Sequence, residues 1–257
     1  MQYETILVSC ADGVGTITLN RPQVLNAMNL KLIQEMDRAL TMLEEDSSVG
    51  AIIITGAGDR AFSAGADIHE NVSLGNEGWR KQEEKRYEYV WHIANCRKPT
   101  IGAINGLCYG GGTVLATALD LRIGCERTSF RFLAAVYGQI NATWTLPLVV
   151  GWPKAKELLY TGREVLAEEA YQIGLLNHLV PSGQLMDKAL EIGRLIASNN
   201  RTAVQGLKHL FNNSLGLSWR ELMVQERTAQ ATNYPPPHVE ESFKDFLARK
   251  GRRDPAP

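Results

Sequence analysis

Two short runs rich in β-branched residues, 3–10 ("YETILVSC") and 14–20 ("VGTITLN"), flank Ala11-Asp12-Gly13, a pattern that predicts a strand pair joined by a turn. The period then changes: Ile33, Met36, Leu40 and Leu43 recur at helical spacing and predict a helix over 30–45. The apolar run 50–56 ("GAIIITG") reads as a short buried strand, followed by a loop of small residues, 58–70 ("GDRAFSAGADIHE"). A highly charged stretch, 77–96, predicts a surface helix ending before Lys98-Pro99. Next come a strand at 100–106, the triplet Gly110-Gly111-Gly112, a helix over about 113–118 and a strand at 121–125. Strand, loop, helix and strand recur, which implies an α/β architecture. Past residue 195 the strand pattern stops. Trp219, Leu222 and Met223, then Val239, Phe243, Phe246 and Leu247, mark two amphipathic helices joined by 233–238 ("NYPPPH"). Such a tail has too little core of its own and is expected to pack on the main body or on a neighbouring subunit.

Composition narrows the function classes. With 27 basic against 28 acidic residues in 257 there is no global field, which disfavours nucleic acid or an anionic membrane as the main partner. No apolar run reaches the ~18 residues of a membrane span, and the first residues lack a basic segment followed by an apolar one. The expectation is a soluble cytoplasmic protein. Cys10, Cys96, Cys108 and Cys125 are widely spaced without a C-x-x-C pair, as suits reduced thiols better than disulfides or a zinc site. His92, His178, His209 and His238 show no metal spacing, and no metal is assigned.

The glycine triplet stands between a strand and a helix start, where unpaired backbone N–H groups and the positive helix end attract negative charge. A tight turn needing positive φ would use the same residues. A P-loop is excluded because no Gly-Lys-Ser or Gly-Lys-Thr follows, and the spacing G-x-G-x-x-G is also absent. A second small-residue loop, 62–70 ("FSAGADIHE"), also follows a strand. One N–H from each loop is enough to clamp a single oxygen, and each such donor is typically worth ~3 kcal/mol in a transition state.

In order and spacing, "RPQVLNAM", "AFSAGADI", "KPTIGAINGLCYGGG", "LATALDLRI" and "GREVLAEEAYQIGLLNHLVP" resemble the crotonase superfamily, the enoyl-CoA hydratases and isomerases, over essentially the whole chain. The resemblance implies a ββα spiral core at 1–195 that binds acyl-CoA, and a C-terminal helical oligomerisation region at 196–257 that builds a homotrimer or a hexamer, a dimer of trimers. It implies an enzyme of fatty acid metabolism, a lyase or isomerase acting on an acyl-CoA thioester. Coenzyme A arrives as part of the substrate, and no separate cofactor is expected. Carried over residue by residue, the amides of Ala66 and Gly111 form the oxyanion hole. Leu25, Asn26, Ala27, Ala64, Asp67 and Ile68 contact coenzyme A.

Against that pattern, the two positions where similar hydratases carry glutamate are Val114 and Ala134, and a shortened loop ahead of Thr143-Trp144 omits the isomerase aspartate. Water addition needs a base and an acid, each usually worth ~10²–10⁴ in rate, and valine and alanine supply neither. Ordinary enoyl-CoA hydration is therefore doubtful. Tyr137, Gln139, Asn141 and Thr143 are polar groups able to orient a carboxylate or water but poor bases at neutral pH, and Tyr137 and Asn141 are the candidates taken from them. His69 and Glu70 follow the first loop, His69 reading as a helix start or solvent-facing residue. Glu83, Glu84, Tyr87 and Tyr89 lie on the charged helix and read as a solvated face. Cys108 and Tyr109 read as packing and Asp120 as a structural bridge, while Arg252 and Arg253 belong either to a frayed end or to a neighbour's nucleotide phosphate. Three functions stay open: decarboxylation of a malonyl-type thioester, which needs no base; hydration or isomerisation with acid and base moved to His69, Glu70 or the 83–89 helix; and acyl-CoA binding or scaffolding without turnover.

Overall fold

In the computed structural model, residues 3–248 are described; Arg252 and Arg253 lie outside them. Strands β1 (Ile6–Ala11) and β2 (Val14–Leu19) form an antiparallel pair in register from Ile6 opposite Leu19 to Ala11 opposite Val14. Asp12 and Gly13 both turn at positive φ, 51° and 79°, the handedness that suits the twist of a two-residue hairpin.

From β3 onward the chain winds, giving each sheet one strand per turn through β8. β3 (Ala51–Gly56), β5 (Thr100–Ile104) and β7 (Leu121–Gly124) run parallel to β2, and β10 (His178–Leu179) completes a six-stranded sheet in the order β1-β2-β3-β5-β7-β10. β4 (Ala61–Ser63), β6 (Leu107–Tyr109), β8 (Ser129–Arg131) and β9 (Glu164–Leu166) make the second sheet. Helix α1 (Leu30–Glu45) follows the hairpin, α2 (Ile68–Asn95) follows β4, and α3 (Gly111–Ala118) follows β6. This is the expected ββα spiral. β3 and β5 are buried throughout, which is why their sequences read as continuous apolar runs without alternation.

One face of the larger sheet, with Ile52 and Ile54, packs into the main core against α1, whose predicted stripe of Ile33, Met36, Leu40 and Leu43 is buried. Asn29 starts that helix by accepting from the Leu32 N–H at 3.0 Å. Helices α4 (Leu146–Val150) and α5 (Trp152–Thr161) lie between β8 and β9, and α6 (Ala167–Gln172) follows β9. Helix α7 (Leu185–Ser198) covers the opposite face, with Leu185 and Ala189 against Val14, Ile53, Ile101 and Ile123.

Helix α3 is the buried centre. Behind its C-terminal end the buried Arg122 donates from Nη1 to the Leu119 carbonyl at 2.6 Å and from Nε to the Leu175 carbonyl at 2.8 Å, a cation placed against the negative end of the helix. Burial lowers its pKa to about 10. Asp120 bridges as expected, accepting from the Thr100 N–H and hydroxyl at 2.7 and 2.9 Å.

The chain divides between Asn199 and Asn200 into two compact units, and α7 runs through the boundary placed at 195 from sequence. The second unit holds α8 (Arg201–Asn212), α9 (Trp219–Ala231), α10 (Val239–Ser242) and α11 (Lys244–Ala248). Ser218 and Glu221 form a reciprocal capping box at the start of α9. The His209 and Tyr234 rings meet at 5.8 Å, and a Cβ on Gly206 would reach within 2.9 Å of the Tyr234 ring. Among the described residues of this unit only Gly206 and Lys208 are buried, whereas Trp219 is 91% exposed and Phe243, Phe246 and Leu247 are exposed too.

Candidate active site

The loop between β4 and α2 is laced to the segment before α1. Ala64 N–H donates to the Leu25 carbonyl at 2.9 Å, the Ser63 hydroxyl to the Asn26 carbonyl at 2.9 Å, Met28 N–H to the Gly65 carbonyl at 2.7 Å, and Asp67 N–H to the Met28 carbonyl at 3.1 Å. Leu25 and Asn26 both sit at φ 54°, a left-handed pair stabilised because the buried Asn26 amide donates to the Ala57 and Ala61 carbonyls at 3.0 and 2.8 Å. Gly65 is at φ +95°, and a Cβ there would lie 2.7 Å from both the Gly111 nitrogen and the Tyr109 carbonyl oxygen. Only glycine lets the two loops approach this closely.

The same approach brings two amides together. A Cβ on Gly111 would sit 3.5 Å from the Ala66 nitrogen and 3.1 Å from the Met28 methyl carbon. Among the described residues neither the Ala66 nor the Gly111 N–H donates to any protein acceptor, although the neighbouring Gly65, Asp67 and Gly110 amides do. Gly111 is the first residue of α3, so its N–H belongs to the unsatisfied set at a helix start and carries the positive end of the dipole.

Two cavities meet at these amides. The inner one, about 80 Å³, is walled by Met28, Ile33, Val114 and Leu115 together with Glu83, Arg86, Tyr87, Tyr89 and Val90 of α2. The outer one is a cleft of about 650 Å³ lined by Ala64, Ile68, Val72, Trp79, Leu133, Ala134 and Tyr137. Ala66, Gly111, Gln139 and Asn141 border both.

A spiral core of this topology, with small-residue loops meeting at a helix start, can be compared with known proteins. Residues 9–253 match the family described as enoyl-CoA hydratase/isomerase. The chain belongs to the enoyl-CoA hydratase/isomerase family. It is 36% identical over 241 residues to the mitochondrial enoyl-CoA hydratase of Pongo abelii, covering 92% of this chain and 82% of that one. It is 34% identical over 218 residues to the short-chain-enoyl-CoA hydratase of Clostridium acetobutylicum, covering 84% of each. The crystal structure of an enoyl-CoA hydratase from Bacillus anthracis superposes with a TM-score of 0.90 at 33% identity over 98% of both chains.

Within this enoyl-CoA hydratase/isomerase fold, of the two positions read as lost glutamates Val114, 8% exposed, lines the inner chamber and Ala134, 6% exposed, lines the adjoining outer cleft. Tyr137 is 70% exposed at the cleft, while Asn141 borders both cavities with a buried Oδ1 that has no hydrogen-bond partner among the described residues. Ala64 and Ile68 line the cleft, whereas Leu25, Asn26 and Ala27 do not: the Leu25 and Asn26 carbonyls accept from Ala64 and Ser63, and the Ala27 carbonyl accepts from Arg21 Nη1 at 2.6 Å. The Asp67 carboxylate caps α2 by accepting from Glu70 N–H and pairs with Arg21 at 2.9 Å. Burial pushes its pKa up, but the Arg21 hydrogen bond and the amides of the first helical turn outweigh that and leave it below the usual carboxylate range.

The reading of Glu83, Glu84, Tyr87 and Tyr89 as a solvated face holds for Glu84 and Tyr87, which are exposed, and fails for Tyr89, which is buried, and for Glu83, which is only partly exposed. Gln82, Tyr89 and Ile93 are buried on one stripe of α2, and Glu83 and Arg86 pair beside it, their side chains 27% and 11% exposed. Tyr89, fully enclosed, has its hydroxyl pushed up by burial and no partner among the described residues. The spacing 82, 86, 89, 93 was the available signal, obscured because the stripe itself carries glutamine and arginine. His69 is exposed in the first turn of α2, and Glu70 is committed to structure, accepting from Leu30 N–H at 2.9 Å and from the Gln82 amide. Cys108 is buried, which pushes its thiol up, and Tyr109 donates to Glu164. Among the described residues no group of three or more His, Cys, Asp or Glu is placed to hold a metal, and no helix is long and apolar enough to cross a membrane.

Proposed function

We propose that this chain binds an acyl-CoA thioester with the acyl carbonyl oxygen between the Ala66 and Gly111 amides, and that these donors stabilise the enolate formed from it. The observation that carries this reading is the pair of adjacent, unpaired N–H groups from two loops at the junction of a small chamber and a larger cleft. Charge that develops on the thioester oxygen meets donors already oriented, at no cost of reorganisation. The chamber suits a short acyl group, and the cleft past Ala64 and Ile68 suits the pantetheine arm. Coenzyme A enters as part of the substrate.

Val114 and Ala134 transfer no proton, so crotonyl-CoA hydration by the two-carboxylate route is not the expected reaction even though the relatives named above are hydratases. The apolar wall of Met28, Ile33, Val114 and Leu115 suits loss of carbon dioxide from a malonyl-type thioester, which forms the enolate without a base. A homotrimer or hexamer is the proposed assembly, supported by the exposed apolar side chains of α9 and α11; a cytoplasmic location is proposed with it.

The discriminating variant is Gly111→Pro. Proline at the first position of a helix is well tolerated but has no N–H, so the fold should persist while turnover of any thioester substrate falls by roughly 10²–10³. Unchanged turnover would remove the Gly111 amide from the mechanism. A panel of crotonyl-CoA, methylmalonyl-CoA and acetyl-CoA separates hydration, carbon dioxide release and binding without turnover.

A further inference from the structure

The enolate reading leaves one role vacant, the group that moves a proton. Of the carboxylates near the site, Glu70 is taken up by Leu30 N–H and Gln82, Asp67 by Arg21 and the start of α2, and Asp120 by Thr100. Glu84 lines a separate groove with Asp37, Glu88 and His92. Glu83 instead borders the inner chamber together with Ala66, Gly111 and Val114.

Its position is held from the other side of the pair. Arg86 donates from Nη1 to Glu83, and from Nη2 to the Met28 carbonyl at 3.1 Å and to Asn71 Oδ1 at 3.3 Å. The Met28 carbonyl is the same oxygen that accepts the Asp67 N–H, and Met28 forms the bridge opposite Ala66. One guanidinium therefore ties the Glu83 carboxylate to the Met28 backbone, which is itself bridged to Ala66. An ordinary surface pair at i and i+3 on a helix lacks that anchor.

We infer that Glu83 is the proton-transferring group of this site and that Arg86 positions it; the inference rests on the enolate reading above. The Glu83 carboxylate takes a proton from the α-carbon of the acyl group, so that the C–H bond breaks and an O–H bond forms. The C–H electron pair moves to the thioester oxygen held by the two amides. Return of the proton to the α-carbon, or to the γ-carbon of a β,γ-unsaturated chain, restores the carboxylate, and no further reactant is required. A single shuttle of this kind supports exchange or a double-bond shift, reactions in which one group both takes and gives the proton.

The test incubates the full-length chain with butyryl-CoA and but-3-enoyl-CoA in D2O and follows deuterium at the acyl carbons by mass spectrometry, with binding measured by titration calorimetry. Glu83→Gln preserves an acceptor for Arg86 but takes no proton at neutral pH. It should lower exchange by roughly 10²–10⁴ with affinity unchanged, while Glu83→Asp keeps a reduced rate and Glu84→Gln matches the wild type. Exchange that persists in Glu83→Gln overturns the inference, as does a wild type that binds both thioesters without exchanging them, which would leave the binding reading standing. If Glu83→Gln loses binding, Glu83→Asp decides: reduced exchange with retained binding supports the assignment, and an unaltered rate overturns it. Failure of the wild type to bind either thioester removes the enolate reading and this inference together.

Discussion

Helices α3 and α2 wall the same chamber and are held by opposite means. From Gly112 to Ala118 every residue of α3 is buried, and its side chains are small or apolar. In α2 only Gln82, Tyr89 and Ile93 are buried, helical geometry is broken at Gly75 (φ 62°), and the chamber-facing part is fixed by polar pairs. The wall with Val114, a position where the family resemblance leads one to expect glutamate, is the apolar one here, and the carboxylate at the chamber stands on the charged wall. The two walls thus share one chamber, the apolar one contributing Gly111 and the charged one contributing Glu83.

Writing charge back onto the buried wall should have the largest effect. Val114→Glu combined with Ala134→Glu is expected to raise crotonyl-CoA hydration by roughly 10²–10⁴ over the wild type, read as loss of enoyl-thioester absorbance. No gain would assign the deficit to the shortened loop around Asn141 instead. Gly65→Ala attacks the contact between the loops: at φ +95° and 2.7 Å from backbone atoms of the other loop, the new Cβ should cost about 2–4 kcal/mol in urea unfolding and abolish thioester binding. Binding retained at wild-type affinity would mean that the amide pair is not the site.

Arg86→Met tests the polar wall. It leaves Glu83 without its partner and releases the Met28 carbonyl, and with the pair partly exposed the expected loss is about 2–3 kcal/mol, measurable by denaturant titration. The smallest effect belongs to His92, which fastens α2 to α1 between Glu44 at 3.6 Å and Asp37 at 2.7 Å. Those carboxylates raise the His92 pKa from 6.5 to about 8, and the contact lowers Glu44 from 4.5 to about 2. The histidine contribution is complete below pH 6.5 and disappears as pH rises through 8; that of Glu44 is complete above pH 4.5 and fades as pH falls through 2. His92→Gln should therefore lose about 1–2 kcal/mol relative to the wild type near pH 6 and match it at alkaline pH. A constant difference across that range would show that the ring contributes by packing alone.

The hairpin, α1, β3, β5 and the buried start of α3 could be read from the chain because each carries an uninterrupted local signal, such as alternation with a turn, a helical stripe or an apolar run bounded by glycine. Strands β4, β6 and β8 could not, since three residues hold no period. Helix α7 did carry a helical stripe, Leu185, Ala189, Ile192 and Ile196 with Met186 and Leu190 beside it, packed on the second core; it went unread although its local signal was present. Glu83 and Tyr89 looked solvated because charge density along α2 hid which of its faces is turned inward.

What the sequence determined by itself was the family, the ordered elements of the spiral, the loops that carry Ala66 and Gly111, and the absence of glutamate at 114 and 134, all properties of residue identity and short-range spacing. Only the tertiary structure decided that those two amides stand side by side and unpaired, that Val114 and Ala134 face different cavities, and that one carboxylate of α2 borders the chamber while the next does not. Such facts depend on contacts between segments tens of residues apart. Whether a charged side chain is solvent surface or chamber wall is set by what packs opposite it, and that partner leaves no mark on the local pattern.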